Sequence, residues 1–137
     1  MKREVKFRAQ RKLNGEWVYG SFIKGSSEDW DYIVDIIDEF ENADRIRVIS
    51  NTVGQFTGLK DKNGVDVYEG DVVLCLLSDG SNSGANDVIE FKNGCFYLRH
   101  RDRNVESWIR YESEIDGDTF YRDFEIIGNI HEHKHLL

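Results

Sequence analysis

Three Asn-Gly steps punctuate the chain, at Asn14-Gly15, Asn63-Gly64 and Asn93-Gly94. The tightest hairpin turns need positive φ at their central positions. Asn tolerates that region, and Gly has no Cβ to clash there. Short apolar runs flank each step. Before the first, Val5, Phe7 and Ala9 alternate with Lys6, Arg8 and Gln10, and Trp17–Ile23 follows it. Val65-Asp66-Val67-Tyr68 follows the second. Val88–Phe91 and Cys95–Leu98 bracket the third. A period of two is that of a half-buried strand. The flanks do not align with one another, so these are three hairpins and not a sequence repeat. The pattern predicts a mostly β protein.

The remaining elements follow from local signals. Trp17, Tyr19 and Phe22 are expected to be buried on the return strand. Ser26-Ser27 offers a helix cap, Glu28 and Asp29 suit a helix N-terminus, and Trp30, Ile33, Val34, Ile37 and Phe40 recur at helical spacing. That predicts one α-helix ending at Asn42 or Ala43, with a solvated acidic face. Arg45–Ile49 alternates again and predicts a strand. Val72–Leu77 is a continuous apolar run after Gly70-Asp71, and a Gly-Asp step of this kind often leads into the long bent strand of a small SH3-like barrel. Ser78–Asp87 holds Gly, Ser, Asn and Asp almost exclusively and predicts a flexible loop open to proteolysis. Val105–Tyr111 predicts a strand, Glu112–Asp118 an acidic loop, and Phe124–Ile130 the last strand. The expected architecture is α+β overall but mostly β. Residues 1–52 form a β-hairpin with one helix, and residues 53–137 an SH3-like barrel.

A chain of 137 residues buries enough surface to fold without a metal or a disulfide. Its formal charge is −8, from 18 basic and 26 acidic residues, which weighs against non-specific nucleic-acid binding. Locally, Lys2, Arg3, Lys6, Arg8, Arg11 and Lys12 stand against Glu4 alone. An edge strand protected by charge explains that cluster more simply than a phosphate footprint. The two cysteines, Cys75 and Cys95, lie in or beside apolar runs and read as buried free thiols. Residues 1–12 lack the apolar core of a signal peptide, and no apolar run is long enough to span a membrane. The expected compartment is the cytoplasm.

Constellations with chemical potential are few. His131, His133 and His135 would share one face of a strand and could take a zinc ion, but a frayed polar tail is the simpler reading. His100 sits in the basic tip Arg99–Arg103, which also reads as a hairpin end. Asp61, Asp66, Glu69 and Asp71 crowd two turns. Paired carboxylates can do acid–base work or hold a divalent cation, yet Asp at a turn usually serves backbone geometry. The EF-hand pattern, the phosphate loop, the dinucleotide fingerprint and the nucleophile elbow are all absent. No catalytic residue, cofactor or metal site is expected.

The run Thr52–Gly64 with Val67-Tyr68-Glu69-Gly70-Asp71-Val72-Val73 resembles the YopX family of phage and prophage proteins. Arg3–Ala9, Ile89–Tyr97 and Phe124–Glu132 resemble that family's opening, central hairpin and closing strand. The chain departs from the pattern at His133-Lys134, where Asn-Pro is common, and Glu28–Arg47 looks like a variable insertion. The resemblance implies an SH3-type barrel with an N-terminal extension and supplies no catalytic residues. The expectation is a non-enzymatic accessory protein of a phage or prophage, in the cytoplasm of a bacterial host, that self-associates or binds a host or phage protein. The expected contact surface is Gln55, Lys60, Tyr68, Glu69 and Asp71. The alternative is a nucleic-acid-binding module using Lys2, Arg3, Lys6, Arg8, Arg99, Arg101 and Arg103. A metal-dependent hydrolase ranks last.

Overall fold

The computed structural model describes residues 3–27, 30–36, 43–76, 79–100, 105–108, 112–115, 118–121 and 123–136. Among them are thirteen strands, two short 3-10 turns at Ser50–Thr52 and Lys134–Leu136, and no α-helix. Among the described residues, no helix is long and apolar enough to cross a membrane. The chain divides into two units, Met1–Gly58 and Leu59–Leu137.

The first unit holds β1 (Phe7–Gln10), β2 (Trp17–Ile23), β3 (Tyr32–Ile36), β4 (Ala43–Arg47) and the start of β5 (Gly54–Lys60). They lie antiparallel in the order β4-β3-β2-β1-β5, so β1 is an inner strand and its basic residues do not guard an edge. The sheet curls back on itself: Lys12 N–H donates to the Arg47 carbonyl, Ile49 N–H donates to that of Gln10, and Arg11 bridges Val48. Ala9, Ile33 and Val48 are fully buried at the centre, with Phe7, Val18, Phe22, Ile46 and Val53 packed around them. Burying Ile33 or Val48 this way is worth about 1.5–3 kcal/mol each.

The predicted helix is corrected here. Tyr32–Ile36 is a strand, paired residue for residue with β4 from Tyr32↔Arg47 to Ile36↔Ala43. Ile33 and Val34 fit either a period of 3.6 or a period of two, and β-branching favours the strand once a partner exists. Residues 37–40, which carried the rest of the helical pattern, lie outside the described residues. Tyr19 is also corrected, being 48% exposed. It points away from the core that Val18 faces.

The second unit contains β6 (Asp66–Tyr68), β7 (Asp71–Leu76), β8 (Asn82–Lys92), β9 (Cys95–His100), β10 (Val105–Trp108), β11 (Glu112–Ile115), β12 (Asp118–Tyr121) and β13 (Asp123–Asn129). Five of these form an antiparallel sheet in the order β10-β9-β8-β7-β13. Val67, Val73, Cys75, Ile89, Leu98 and Phe124 make its core. The expected closed barrel is replaced by this open sheet, since β10 and β13 stand at opposite edges among the described residues. The predicted acidic loop at Glu112–Asp118 is corrected as well: β11 and β12 pair as a hairpin.

Only the third Asn-Gly step makes the two-residue turn. Asn93 and Gly94 have φ of 52° and 81°, with Lys92 opposite Cys95. At the other two steps the left-handed residue is Gly15 or Gly64 alone, in longer loops closed by Arg11 N–H to the Glu16 carbonyl and Asp61 N–H to that of Val65. The predicted loop at Ser78–Asp87 is mostly strand. Leu74 pairs with Asn86 and Leu76 with Asn82, so two steps along β7 match four along β8. The surplus residues form a bulge containing Gly84 at φ 78°.

Candidate functional site

Among the described residues of strands β1–β4 in the first unit, one face carries no acid. Strand alternation puts Phe7, Ala9, Val18, Phe22, Ile33 and Ile46 toward the core. The opposite face carries Arg8 and Gln10 from β1, Trp17, Tyr19, Ser21 and Ile23 from β2, Tyr32 and Val34 from β3, and Ala43, Arg45 and Arg47 from β4. Asp35 and Asp44 belong to the other face, where they oppose each other in register.

Arginines and rings interleave on this face. The Arg8 guanidinium lies 4.7 Å from the Trp17 ring centre, Arg45 lies 5.6 Å from Tyr32, and Arg47 lies 4.2 Å from Trp30. A guanidinium over an aromatic face is held there by the ring's quadrupole. Tyr19 and Trp30 are each 48% exposed, and Ile23 is 38% exposed.

The loop before β3 fixes Trp30. The Asp31 Oδ1 accepts Gly25 N–H at 3.0 Å, and that bond holds the carboxyl below its usual range. Asp31's carbonyl accepts Val48 N–H, and Trp30 N–H donates to Ser27. A Cβ at Gly25 would stand 2.0 Å from the Trp30 carbonyl oxygen, so only glycine lets the loop close this tightly. At the open end of the curled sheet, a groove of about 450 Å³ runs between Arg11, Lys12 and Leu13 on one side and Asp44–Arg47 on the other. Its four cations face one acid. Arg11 Nε is buried with no hydrogen-bond acceptor among the described residues.

In the second unit, one buried carboxylate joins two residues with chemical potential. Cys75 Sγ donates to Asp87 Oδ2 at 3.0 Å, and His100 Nδ1 meets the same oxygen at 2.9 Å. Sheet pairing sets this up, because Asp87 lies opposite both Val73 and His100. A nucleophilic cysteine gives its proton to an imidazole that a carboxylate steadies from behind. Here the order is thiol, carboxylate, imidazole, and Cys75 is only 5% exposed. The cluster is a polar staple within the core. Cys75 and Cys95 are both free thiols.

The residues singled out from the sequence are scattered. Tyr68 and Asp71 are 3% and 1% exposed, and Asp71 Oδ2 accepts Tyr68 N–H at 2.8 Å, so this pair shapes the turn from inside. Asp61 likewise accepts Asn63 and Val65 N–H on one oxygen and Ile126 N–H on the other. Lys60 pairs with Asp66 at 2.6 Å. Gln55 is half-buried opposite Phe7. Glu69 is half-buried, and burial followed by the charge of Glu90 pushes its carboxyl above the usual range.

Of the basic set, Arg3 is exposed. Lys6 pairs with Glu4 and lies over the Phe56 ring. Arg8 is 8% exposed, so it is not the open phosphate contact expected of it. Arg99 pairs with Glu90 at 2.6 Å. Lys2, Arg101 and Arg103 lie outside the described residues.

The histidine tail is neither a strand nor frayed. Asn129 Oδ1 accepts His131 and Glu132 N–H, while His133 Nδ1 accepts Asn129 N–H at 3.1 Å. His133 and Leu136 pack on Gly128 so closely that a Cβ there would stand 2.8 Å from each.

Sequence reading missed Trp30, Tyr32, Arg45 and Arg47 as one surface. The alternation of Arg45-Ile46-Arg47 was a signal, but the helical assignment of Trp30–Phe40 hid the strand that places Tyr32 beside Arg47.

None of the curated proteins matches the chain. Among solved structures, the crystal structure of protein EF1440 from Enterococcus faecalis is similar, with a TM-score of 0.56 at 21% identity over 99% of each chain. At that identity the likeness is one of fold. A family model described as "YopX protein" matches residues 6–137. With nearly its whole length matched, the chain belongs to the YopX protein family.

Proposed function

We propose that this protein is a non-enzymatic accessory protein of a phage or prophage, acting in the bacterial cytoplasm by binding, and that its working surface is the arginine-bearing face of the first unit. The observation that carries the reading is the set of three arginine–ring pairs on a face that keeps Tyr19 and Trp30 half exposed. Trp, Tyr and Arg are the residue types that dominate binding energy at interfaces, and rings clamped by cations lose little freedom when a partner docks. Among the described residues, the buried thiol–carboxylate–imidazole cluster is arranged to hold strands together, which favours binding over catalysis.

Self-association is part of the reading. The test compares the parent chain with a Tyr19→Ala/Trp30→Ala variant. Mass in solution is measured for both, along with the macromolecules each retains from bacterial lysate. The variant is expected to lose self-association, a retained partner, or both. A variant that keeps the parent's mass and everything the parent retains would overturn the assignment of this face.

A further inference from the structure

We infer that this face of the first unit binds single-stranded nucleic acid, with the half-exposed rings stacking bases, and with the exposed Arg45 and the neighbouring groove taking phosphates. The inference rests on the reading of that face as the working surface and names its ligand.

Charge is the first argument. The chain carries −8, but residues 1–58 hold nine Lys/Arg against ten Asp/Glu, while residues 59–137 hold nine against sixteen. Among the described strand residues of the first unit, Asp35 and Asp44 lie on one face, and Arg45 and Arg47 on the other. A sheet face whose described strand residues are cationic and include no acid attracts anions locally in an otherwise acidic protein.

The rings supply the second argument. Single-strand binders combine cations that follow the backbone with aromatic platforms, and stacking accepts any base because every base has a π-face. Tyr19, Trp30 and Tyr32 sit among arginines in this way. A duplex offers no such contact, since its bases are stacked inside and are read by an element that enters a groove. A protein partner would also need its acids spaced to meet the arginines, whereas a phosphodiester chain repeats its charge at every residue.

The groove adds the third. Arg11, Lys12, Arg45 and Arg47 outnumber Asp44 around a volume of about 450 Å³, within the range of small-ligand sites. Arg11 Nε is buried there without an acceptor among the described residues. A buried donor left unmade is costly, and a phosphate oxygen is the acceptor that this charge environment favours.

The experiment uses the full chain and three fluorescein-labelled probes of one mixed sequence: a 15-nucleotide single-stranded DNA, the corresponding RNA, and the DNA duplex. Anisotropy is followed at 50 and 300 mM salt. Saturable binding to a single strand is expected, weaker by about tenfold or more at the higher salt and weaker still to the duplex. The DNA and RNA arms show which strand is preferred, and either preference supports the inference.

Trp30→Ala is expected to weaken binding about tenfold, and Arg45→Glu at least as much, with unchanged circular dichroism. Arg45→Gln, a milder change, is expected to fall between. No binding to either strand at 50 mM salt would overturn the inference. So would binding that Trp30→Ala and Arg45→Glu both leave unchanged. Face variants that abolish self-association or a protein contact, with no oligonucleotide bound by the parent, would remove this inference and leave the assigned face standing.

Discussion

The Arg47 guanidinium lies 4.2 Å from the centre of the Trp30 ring, across the turn that leads into β3. Trp30 is 48% exposed, so the pair is partly screened by water and is worth about 0.5–1 kcal/mol. A double-mutant cycle of Trp30→Ala and Arg47→Ala, read by urea denaturation, is expected to return a coupling of that size. Arg47→Lys should recover less than half of it, because an ammonium cannot lie flat on the ring. A coupling near zero would mean that the two residues are neighbours without interaction.

At Gly20 the backbone of β3 lies directly against β2. A Cβ there would stand 2.1 Å from the Val34 carbonyl oxygen, and φ is +155°. Backbone cannot swing aside as a side chain can. Gly20→Ala is expected to cost roughly 2–3 kcal/mol, as forced overpacking does. Gly15 is the control. Its φ is +75° with nothing within 4 Å, so Gly15→Ala should cost about 1–2 kcal/mol from conformation alone. Denaturation midpoints that rank the two the other way would contradict the close approach.

The hairpins around Asn14-Gly15 and Asn93-Gly94 were legible because turn chemistry and a period of two agree there. Arg45–Arg47 was legible as a strand for the same reason. Trp30–Val34 was not: its apolar spacing suits a helix, and the deciding information is the pairing with Ala43–Arg47, which no local window contains. Asn82–Asp87 was hidden in the opposite way. Its residues are poor strand formers, yet bonding to Val73–Leu76 holds them in the sheet, and Gly84 absorbs the bulge. The surface of the first unit inherits both difficulties, since Tyr32 and Arg47 become neighbours only once β3 is known to be a strand. Tyr68 and Asp71 look like exposed turn residues, and only tertiary packing encloses them.

Asp87 is 2% exposed and accepts from both Cys75 and His100 through one oxygen. Hydrogen bonds to a charged acceptor are worth about 1.5–3 kcal/mol each, and part of that gain offsets the cost of burying the carboxylate. Asp87→Ala is therefore expected to lower stability by about 3 kcal/mol in guanidinium denaturation. Cys75 should also react faster with a thiol reagent in this variant, whereas in the parent the half-buried Cys95 reacts first. Unchanged stability would show that the staple is dispensable.

Glu69 gives the fold a pH dependence of known sign. Burial, then the charge of Glu90, raises its carboxyl above the ordinary 4.5. A group whose pKa is raised on folding favours the folded state most at low pH, where it is protonated. That contribution is lost as pH rises through the folded pKa. Glu69→Gln should accordingly match the parent in urea midpoint near pH 4 and exceed it at pH 7–8. Half-exposure screens the effect, so the gain should stay under about 1 kcal/mol. Arg99 pairs with Glu90 at 2.6 Å and offsets part of that neighbour's charge. Arg99→Ala should therefore widen the difference between Glu69→Gln and its background at pH 7–8. An unchanged difference would mean that burial alone sets the shift, and a Glu69→Gln variant less stable than the parent at pH 7–8 would reverse the sign argued here.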